Sequence, residues 1–575
     1  MKSFNTNSQK NNSTHEKILL GLLPYWTPLT PPMGISCLKS FLQQKGYEVK
    51  TVDLNVKGVF RNIYDRYHRV LKECIPGETR GNFYNTGYDV LQNHMMLHLN
   101  CNDEEEYREL FNTLIFKNYL CCIDNREIEK LKGILDKFYL ELETQFIDIL
   151  EKEKPTILGL SVLGGTFPTS MFAFRLTRER YPHIKTVMGG AIFSEDLALE
   201  SENFKNFLEK SGDIDKILVG EGENLFLKLL RNELPGDRKV YTLKDIDNQV
   251  IDLSSLKALD FSDFHMRDYV YLASFCARSC PFQCSFCVEI VYWGKYRKRE
   301  PKQVVEEMIK MFRKYKRQLF FFYDSLLNPI LTDLAREFIE AGISLYWDGC
   351  LRVDQQVCNF ENTMLWRRGG FYRARIGAES GSSRVLTLMN KKITPRQIKD
   401  AISNLAEAGI KTTTYWLIGH PEETEEDFQQ TLDLVEALKD DIYQADCNPF
   451  RYFETGQADS GRWARMGKKM PLYQQKNAAD LLITQTWSLD CQPCREITME
   501  RLCRFIRHCQ RLGIPNPYSL HDIYKADKRW EKLHKNSVPA IIKLTNENQY
   551  IDENQHLKEF VYGENKFKED GDFSF

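Results

Sequence analysis

Hydrophobic positions along the chain fall into two strand-and-helix rhythms, the first of them interrupted by a long charged stretch. The first opens with the apolar run Ile18-Leu19-Leu20-Gly21-Leu22-Leu23, cut off by Pro24 and followed by a loop over 25–32. A helical period over 33–45 stops at Gly46 and gives way to a β-branched run ending at Val52-Asp53. This is strand, loop, helix, strand, the first half of a doubly wound unit. The rhythm resumes with a strand over 156–162, a helix after Pro168, a strand closing at Gly189-Gly190, and a short strand over 216–219 leading into Gly220-Glu221-Gly222-Glu223. In an open parallel sheet, ligands bind at the carboxyl ends of the strands. Here those ends carry Pro24, Ser161, Gly164, Gly165, Gly189, Gly190 and Gly222. Such residues either let a backbone approach a flat ligand closely or serve as plain turn residues.

Residues 56–146 interrupt this unit and are too long and too charged for a simple loop, so they are expected to be mainly helical. Their Tyr64, Tyr67, His68, Tyr84, Tyr88, His94 and His98 are candidates for lining a substrate entrance. His94 and His98 share a helix face but lack the acidic or cysteine company of a metal site, which favours packing or surface roles. Over 232–264 the pattern weakens into a linker. A second rhythm then begins, with strands expected over 271–275, 319–323, 344–347, 371–376, 412–418 and 442–447 and amphipathic helices between them. Six such strands predict an open parallel α/β barrel, a partial (β/α)6 form, with its chemistry in the loops after the strands. The division that follows is a disordered leader over 1–16, a doubly wound, Rossmann-like domain over 17–231 with its insertion at about 56–146, the linker over 232–264, a barrel over 265–455 and a mainly helical region over 456–575. The charged tail over 564–575 is expected to fray.

A length of 575 residues suits about three to four domains. With 42% hydrophobic and 27% charged residues, the chain can bury a large core. The formal net charge of -2 gives no reason to expect a nucleic-acid partner, and the basic run over 295–299 reads as a solvated face or a helix entry. Sixteen cysteines without a signal-peptide pattern point to a cytoplasmic protein with metal-binding or catalytic thiols rather than a disulfide scaffold. The sequence has no run of about 18 apolar residues, so no membrane span is expected.

Cys280, Cys284 and Cys287 stand out, spaced C-x3-C-x2-C on a tight loop after the strand over 271–275. Three thiolates this close suit a 4Fe-4S cluster with three capped irons and one open position. A zinc site or three buried thiols are the alternatives, but zinc asks for a fourth nearby Cys or His, and residues 288–299 contain neither. Cys276 is the one nearby candidate, and it is better placed as a small residue at the end of the strand. Cys491 and Cys494, with Cys503 and Cys509, raise a second metal site. Against it, Cys503 and Cys509 lie on poorly matched faces of an expected helix.

With Phe286 just before the last cysteine and Ala277-Arg278-Ser279 leading into the first, the motif resembles the radical S-adenosylmethionine (radical SAM) superfamily. Over about 17–450 the chain is similar to the branch carrying an N-terminal cobalamin-binding-like domain. Pro31-Pro32-Met33-Gly34, Lys45-Gly46-Tyr47-Glu48-Val49 and Val52-Asp53-Leu54 look like the opening of that domain, and Gly189-Gly190 and Gly220-Glu221-Gly222-Glu223 like its later signatures. The D-x-H-x-x-G motif, whose histidine ligates cobalt in several cobalamin enzymes, is absent, so no axial histidine is carried over.

The resemblance implies a 4Fe-4S cluster on Cys280, Cys284 and Cys287, and SAM near Phe286, Asp324, Arg352, Glu379, Ser380 and Gly419. It further implies cobalamin near Pro24, Ser161, Gly189, Gly190 and Gly222. Carboxylates suit the SAM ammonium, an arginine fork suits its carboxylate, and Ser or Glu suits the ribose. Each of these residues is alternatively a cap or a surface ion pair. His420 stands where the family more often has an aromatic or apolar residue, and Glu422 where it commonly has Gly. The implied activity is cleavage of SAM to a 5'-deoxyadenosyl radical, with an electron donor such as flavodoxin or ferredoxin. Cobalamin-dependent C-methylation of a peptide or small natural-product precursor is the favoured outcome. Rearrangement, oxidation, cyclisation or epimerisation is the alternative, and a non-catalytic iron-sulfur sensor is the reading from another class.

Overall fold

The computed structural model describes residues 16–25, 28–475, 477–516, 520–535 and 537–538. The expected leader, apart from Glu16, and the tail over 564–575 lie outside the described residues. The apolar run that opens the chain becomes β1 (Lys17–Leu22), buried at every position after the first. A strand apolar on both faces belongs in the interior of a parallel sheet. It lies between β2 (Glu48–Asp53) and β3 (Ile157–Ser161), followed by β4 (Lys185–Gly189), β5 (Lys216–Val219) and β6 (Val240–Thr242), in the order β2-β1-β3-β4-β5-β6. All these pairings are parallel. Crossovers α1 (Met33–Gln44), α6 (Phe167–Arg180), α7 (Glu202–Lys210) and α8 (Gly222–Leu230) complete the doubly wound unit. Strand β6 falls within the stretch expected to be a linker; at three residues it is too short to show an alternating pattern.

The interrupting segment supplies α2 (Gly58–Cys74), α3 (Phe83–Asn100), α4 (Glu104–Tyr119) and α5 (Asn125–Glu153). A capping box between Asp124 and Glu127 starts the 29-residue α5. These helices bury Phe60, Tyr67, Leu91, Phe111 and Phe138 against β3, β4 and α6 in one core. Most of the aromatic and histidine residues expected at a substrate entrance are core instead. Tyr67, His68 and His94 are buried, and His94 bridges the hydroxyls of Tyr67 and Tyr107 at 2.7 and 2.6 Å. His98 pairs with Asp136 at 3.3 Å, a packing role as expected.

The second parallel sheet runs β14-β13-β12-β11-β10-β7, from β7 (Leu272–Ser274) through β10 (Leu319–Phe322), β11 (Tyr346–Leu351), β12 (Phe371–Glu379) and β13 (Lys411–Ile418) to β14 (Gln444–Pro449). Between β7 and β10 a short antiparallel pair, β8 (Ala277–Arg278) and β9 (Arg297–Lys298), pinches a loop that carries α9 (Glu289–Trp293). Helices α10 (Pro301–Tyr315), α11 (Asn328–Glu340), α12 (Phe360–Arg368), α13 (Ser383–Leu388), α14 (Pro395–Glu407) and α15 (Glu425–Ala437) intervene between the later strands. Helix α14 begins with Pro395 behind a Thr394–Gln397 capping box, and α15 with a Thr424–Asp427 box. This is a partial radical SAM-type barrel beside a doubly wound sheet. A single core, from Ile18 and Phe226 to Trp347 and Phe428, runs beneath both sheets.

Helix α3 reaches the barrel's last strand. Asn82 Nδ2 donates to Cys447 O at 2.8 Å, and Asn85 Nδ2 to Asn448 Oδ1 at 3.1 Å. Beyond β14 come α16 (Ser460–Arg465), the hairpin β15 (Lys469–Pro471) and β16 (Trp487–Leu489), then α17 (Arg495–Arg511) and α18 (Leu520–Leu533). Among the described residues no helix is long and apolar enough to cross a membrane.

Candidate active site

The three-cysteine loop begins where β7 and β8 deliver the chain to the carboxyl end of the barrel, and every neighbouring segment ties it down. Ser279 enters it with a left-handed φ of 72°, its hydroxyl donating to Gly294 O at 2.6 Å. Ser285 N donates to Met389 O at 2.9 Å, and Asn390 Nδ2 to Gln283 O at 2.6 Å, so the turn after α13 holds one side. From the other side, Ala458 N donates to Cys287 O at 3.1 Å, Asp459 N to Ser285 O at 3.0 Å, and Gln457 Nε2 to Phe286 O at 3.1 Å. The loop is thus fixed largely through its backbone, which leaves the thiols of Cys280, Cys284 and Cys287 to other partners.

Two cations face these thiols. Arg352 Nη1 donates to Cys284 Sγ at 3.1 Å, and its guanidinium lies 4.1 Å from the Phe282 ring centre. Lys391 Nζ pairs with Glu379 Oε1 at 2.9 Å and sits 6.0 Å from the Phe286 ring centre. Burial raises the Cys280 thiol above its ordinary value, and Arg352 and Lys391 act in the opposite direction. Among the described residues no three His, Cys, Asp or Glu side chains converge to hold a single metal ion. A 4Fe-4S cluster asks for something else, since each cysteine caps a different iron. Three thiols on a backbone-anchored loop, with cations beside them, fit that donor set. Cys491, Cys494, Cys503 and Cys509 likewise do not converge on a single metal ion among the described residues. Cys503 donates to Thr79 O at 3.4 Å, while Cys509 is buried in the core beneath β14.

Some residues expected to touch SAM have other work in this structure. Asp324 accepts from the backbone N–H of Cys276 at 3.0 Å and of Ala277 at 2.5 Å, so its carboxylate shapes the entry to the cysteine loop. Burial pushes its pKa up to about 7. Ser380 is fully buried, its hydroxyl 3.2 Å from that of Thr431 and accepting from Ser382 N at 3.1 Å, which stabilises a turn. Gly419, at a left-handed φ of 81°, gives α17 room: a Cβ there would lie 2.3 Å from the Thr498 hydroxyl. Glu379, by contrast, ends β12 at a left-handed φ of 63°, beside the loop.

Sequence reasoning missed Lys391, which lies 12 residues beyond Glu379 and carries no motif. It flagged His420 only as a departure, and the structure gives the reason. The His420 ring lies 3.2 Å from Ser285 Oγ and ties the loop after β13 to the cysteine loop. Burial lowers its pKa to about 4, so it is neutral in that role.

A cavity of about 400 Å³ opens between the two sheets. Ser161, Gly189, Gly190 and Gly222 line one side, at the carboxyl ends of the first sheet, while Pro24 is not among its lining residues. Phe275, Ala277, Arg278 and Ser279, entering the cysteine loop, line the other, with Tyr25, Tyr292, Trp293 and Tyr323 between. Among the described residues no histidine lines it. Its floor needs glycine at one point: Gly190 has a φ of 118°, and a Cβ there would lie 2.3 Å from Val162 O.

The family model described as the radical SAM superfamily matches residues 275–435, from just after β7 to within α15. Those residues form a radical SAM domain. That domain carries the cysteine loop, beyond β7 and β8, and is a site for a 4Fe-4S cluster and SAM. The chain is 26% identical over 326 residues to an anaerobic magnesium-protoporphyrin IX monomethyl ester cyclase of Rubrivivax gelatinosus, a match covering 52% of this chain and 57% of that protein. It is 23% identical over 325 residues to an uncharacterised methyltransferase of Pyrococcus horikoshii, covering 52% and 67%. The chain therefore spans little more than half the length of the cyclases it matches.

Among solved structures, the radical SAM methyltransferase TsrM of Kitasatospora setae, with cobalamin and a 4Fe-4S cluster bound, superposes with a TM-score of 0.59 at 14% identity. That match covers 93% of this chain and 99% of TsrM. The cobalamin-dependent radical SAM enzyme OxsB, with aqua-cobalamin and SAM bound, gives 0.50 at 15% identity over 75% of this chain and 53% of OxsB. These likenesses speak to the fold: a doubly wound, cobalamin-binding-like domain joined to a radical SAM domain.

Proposed function

We propose that this chain is a cobalamin-dependent radical SAM C-methyltransferase acting on a peptide or a small natural-product precursor. The observation that carries this reading is the cavity between the carboxyl edge of the first sheet and the strand entering the cysteine loop. Small residues on one wall suit the face of a broad planar ligand, and aromatic rings on the others suit its edges. Cys280, Cys284 and Cys287 would hold the cluster, and Glu379 and Arg352 would meet SAM. Ser161, Gly189, Gly190 and Gly222 would lie along the corrinoid. When bound, SAM and the cluster supply hydrogen abstraction from an unactivated carbon, and the corrinoid supplies a methyl group. The protein's part is to orient these groups and to exclude water between the sheets.

A second reading keeps the radical chemistry without methyl transfer. It is favoured by the similarity to the magnesium-protoporphyrin IX monomethyl ester cyclases, which runs over about half of the chain.

The test is anaerobic reconstitution with iron, sulfide and hydroxocobalamin, followed by iron counting, a corrinoid spectrum and product analysis with SAM and reductant. About four irons per chain, a retained corrinoid, and both 5'-deoxyadenosine and S-adenosylhomocysteine are expected. 5'-Deoxyadenosine without a retained corrinoid selects the second reading, and iron without any SAM cleavage in the presence of candidate substrates overturns both.

A further inference from the structure

Arg352 is held too firmly, and placed too close to a cysteine of the loop, to be only a surface cation. Asn328, at the start of α11, clamps its backbone from both sides: Nδ2 donates to Arg352 O at 2.8 Å, and Oδ1 accepts from Arg352 N at 2.9 Å. The guanidinium stacks on Phe282, and Nη1 reaches Cys284 Sγ. The residue is 6% exposed, and its Nη2 is buried without a hydrogen-bond partner among the described residues. An arginine fork pre-set by a stacked ring and a clamped backbone loses little freedom on bonding a sulfur. No carboxylate pairs with Arg352 among the described residues, so its positive charge stays directed at the thiol.

Hydrogen bonds to cluster sulfurs and nearby charge are main determinants of an iron-sulfur reduction potential. A donor with a full positive charge favours the reduced cluster, the state with one more negative charge. We propose that Arg352, through its hydrogen bond to Cys284, raises the reduction potential of the cluster and so sets how readily it accepts an electron. The inference rests on the reading of Cys280, Cys284 and Cys287 as cluster ligands. It makes Arg352 a positioning and tuning residue in addition to any contact with SAM.

The test is a dithionite titration, monitored by electron paramagnetic resonance, of the reconstituted full chain and its R352K and R352Q variants, all without SAM. Iron and sulfide content and a circular-dichroism melt are measured on each. The expected result is a midpoint shifted to lower potential in R352Q, a smaller shift in R352K, which keeps the charge but loses the planar fork, and an altered signal of the reduced cluster in both. R352K decides the matter if R352Q does not retain iron. Unchanged midpoints and signals at equal iron content overturn the proposal. Failure of the wild-type chain to assemble a cluster overturns the ligand reading on which it rests, and so is told apart from failure of the Arg352 proposal itself.

Discussion

Arg278 Nη2 meets Glu223 Oε1 at 2.5 Å, and its Nη1 meets Glu221 Oε2 at 2.9 Å, which joins the strand entering the cysteine loop to the turn after β5. The three side chains are between 3% and 11% exposed, and Cys37 Sγ adds a donor to Glu223 at 3.3 Å. The carboxylates hold Arg278 protonated against the opposing effect of burial, and Arg278 is the main influence lowering Glu223. The two sheets therefore share a buried ionic joint beside the cavity.

Removing one partner of such a joint strands the others. R278M keeps much of the side-chain volume but leaves Glu223 without its cation and Glu221 with only Arg297, which sits 2.5 Å away. The expected loss of stability is about 3–5 kcal/mol, measured by urea unfolding of the full chain. A loss below about 1 kcal/mol, the range of an exposed pair, would mean that water reaches the joint.

Glu379 and Lys391 allow stability and ligand binding to be separated. E379Q leaves the Lys391 ammonium buried without its carboxylate, which is expected to cost about 3–5 kcal/mol and to weaken SAM binding. The double variant E379Q/K391M removes both charges. It should recover most of the stability, because a neutral pair carries no unpaired buried charge, and it should still bind SAM weakly by equilibrium dialysis. Recovery of binding together with stability would remove Glu379 from the list of SAM partners.

Asp324 makes a prediction about pH. Burial lifts its pKa from 3.8 to about 7 in the folded chain, so between those values the folded state binds more protons here than the unfolded state. Stability contributed by this group is therefore full below pH 4 and declines as pH rises towards 7. D324N abolishes the titration. The wild-type stability measured relative to D324N should fall across that window, and a flat difference would contradict the assignment.

Much of this architecture was legible in the chain because local signals and tertiary demands agree. The apolar run over 18–22 is apolar on both faces because β1 lies inside a parallel sheet. The cysteine loop was legible because its three cysteines come from eight consecutive residues. What supports that loop was not. Lys391, His420, Asn390 and Gln457 approach it from three different segments, and no periodicity relates them to it. Asp324 and Ser380 have partners that the sequence does not reveal. Both stand at strand ends, where polar residues suggest a ligand, yet their partners are backbone amides and a buried threonine that only the folded chain brings near. A polar residue at a strand end has two equally good uses, holding a ligand or holding the loop that holds it.

Gly190 ties the cavity to backbone conformation. Its φ of 118° lies where L-residues with a side chain are strained, and a Cβ there would stand 2.3 Å from Val162 O and 2.5 Å from Val162 N. Those contacts are backbone, so no rotamer change relieves them. G190A must therefore move the turn after β4 or the segment after β3, and both border the cavity between the sheets. The expected cost exceeds about 1 kcal/mol, read as a lowered urea midpoint. Because Ser161 and Gly189 move with those segments, reconstituted G190A should also retain less corrinoid than the wild type at equal iron content. By contrast, G212A, at a glycine with open space around its Cβ position, should change neither quantity. If G190A lowers stability but leaves corrinoid retention untouched, the glycine serves the turn alone, and the corrinoid wall must be sought elsewhere along the cavity.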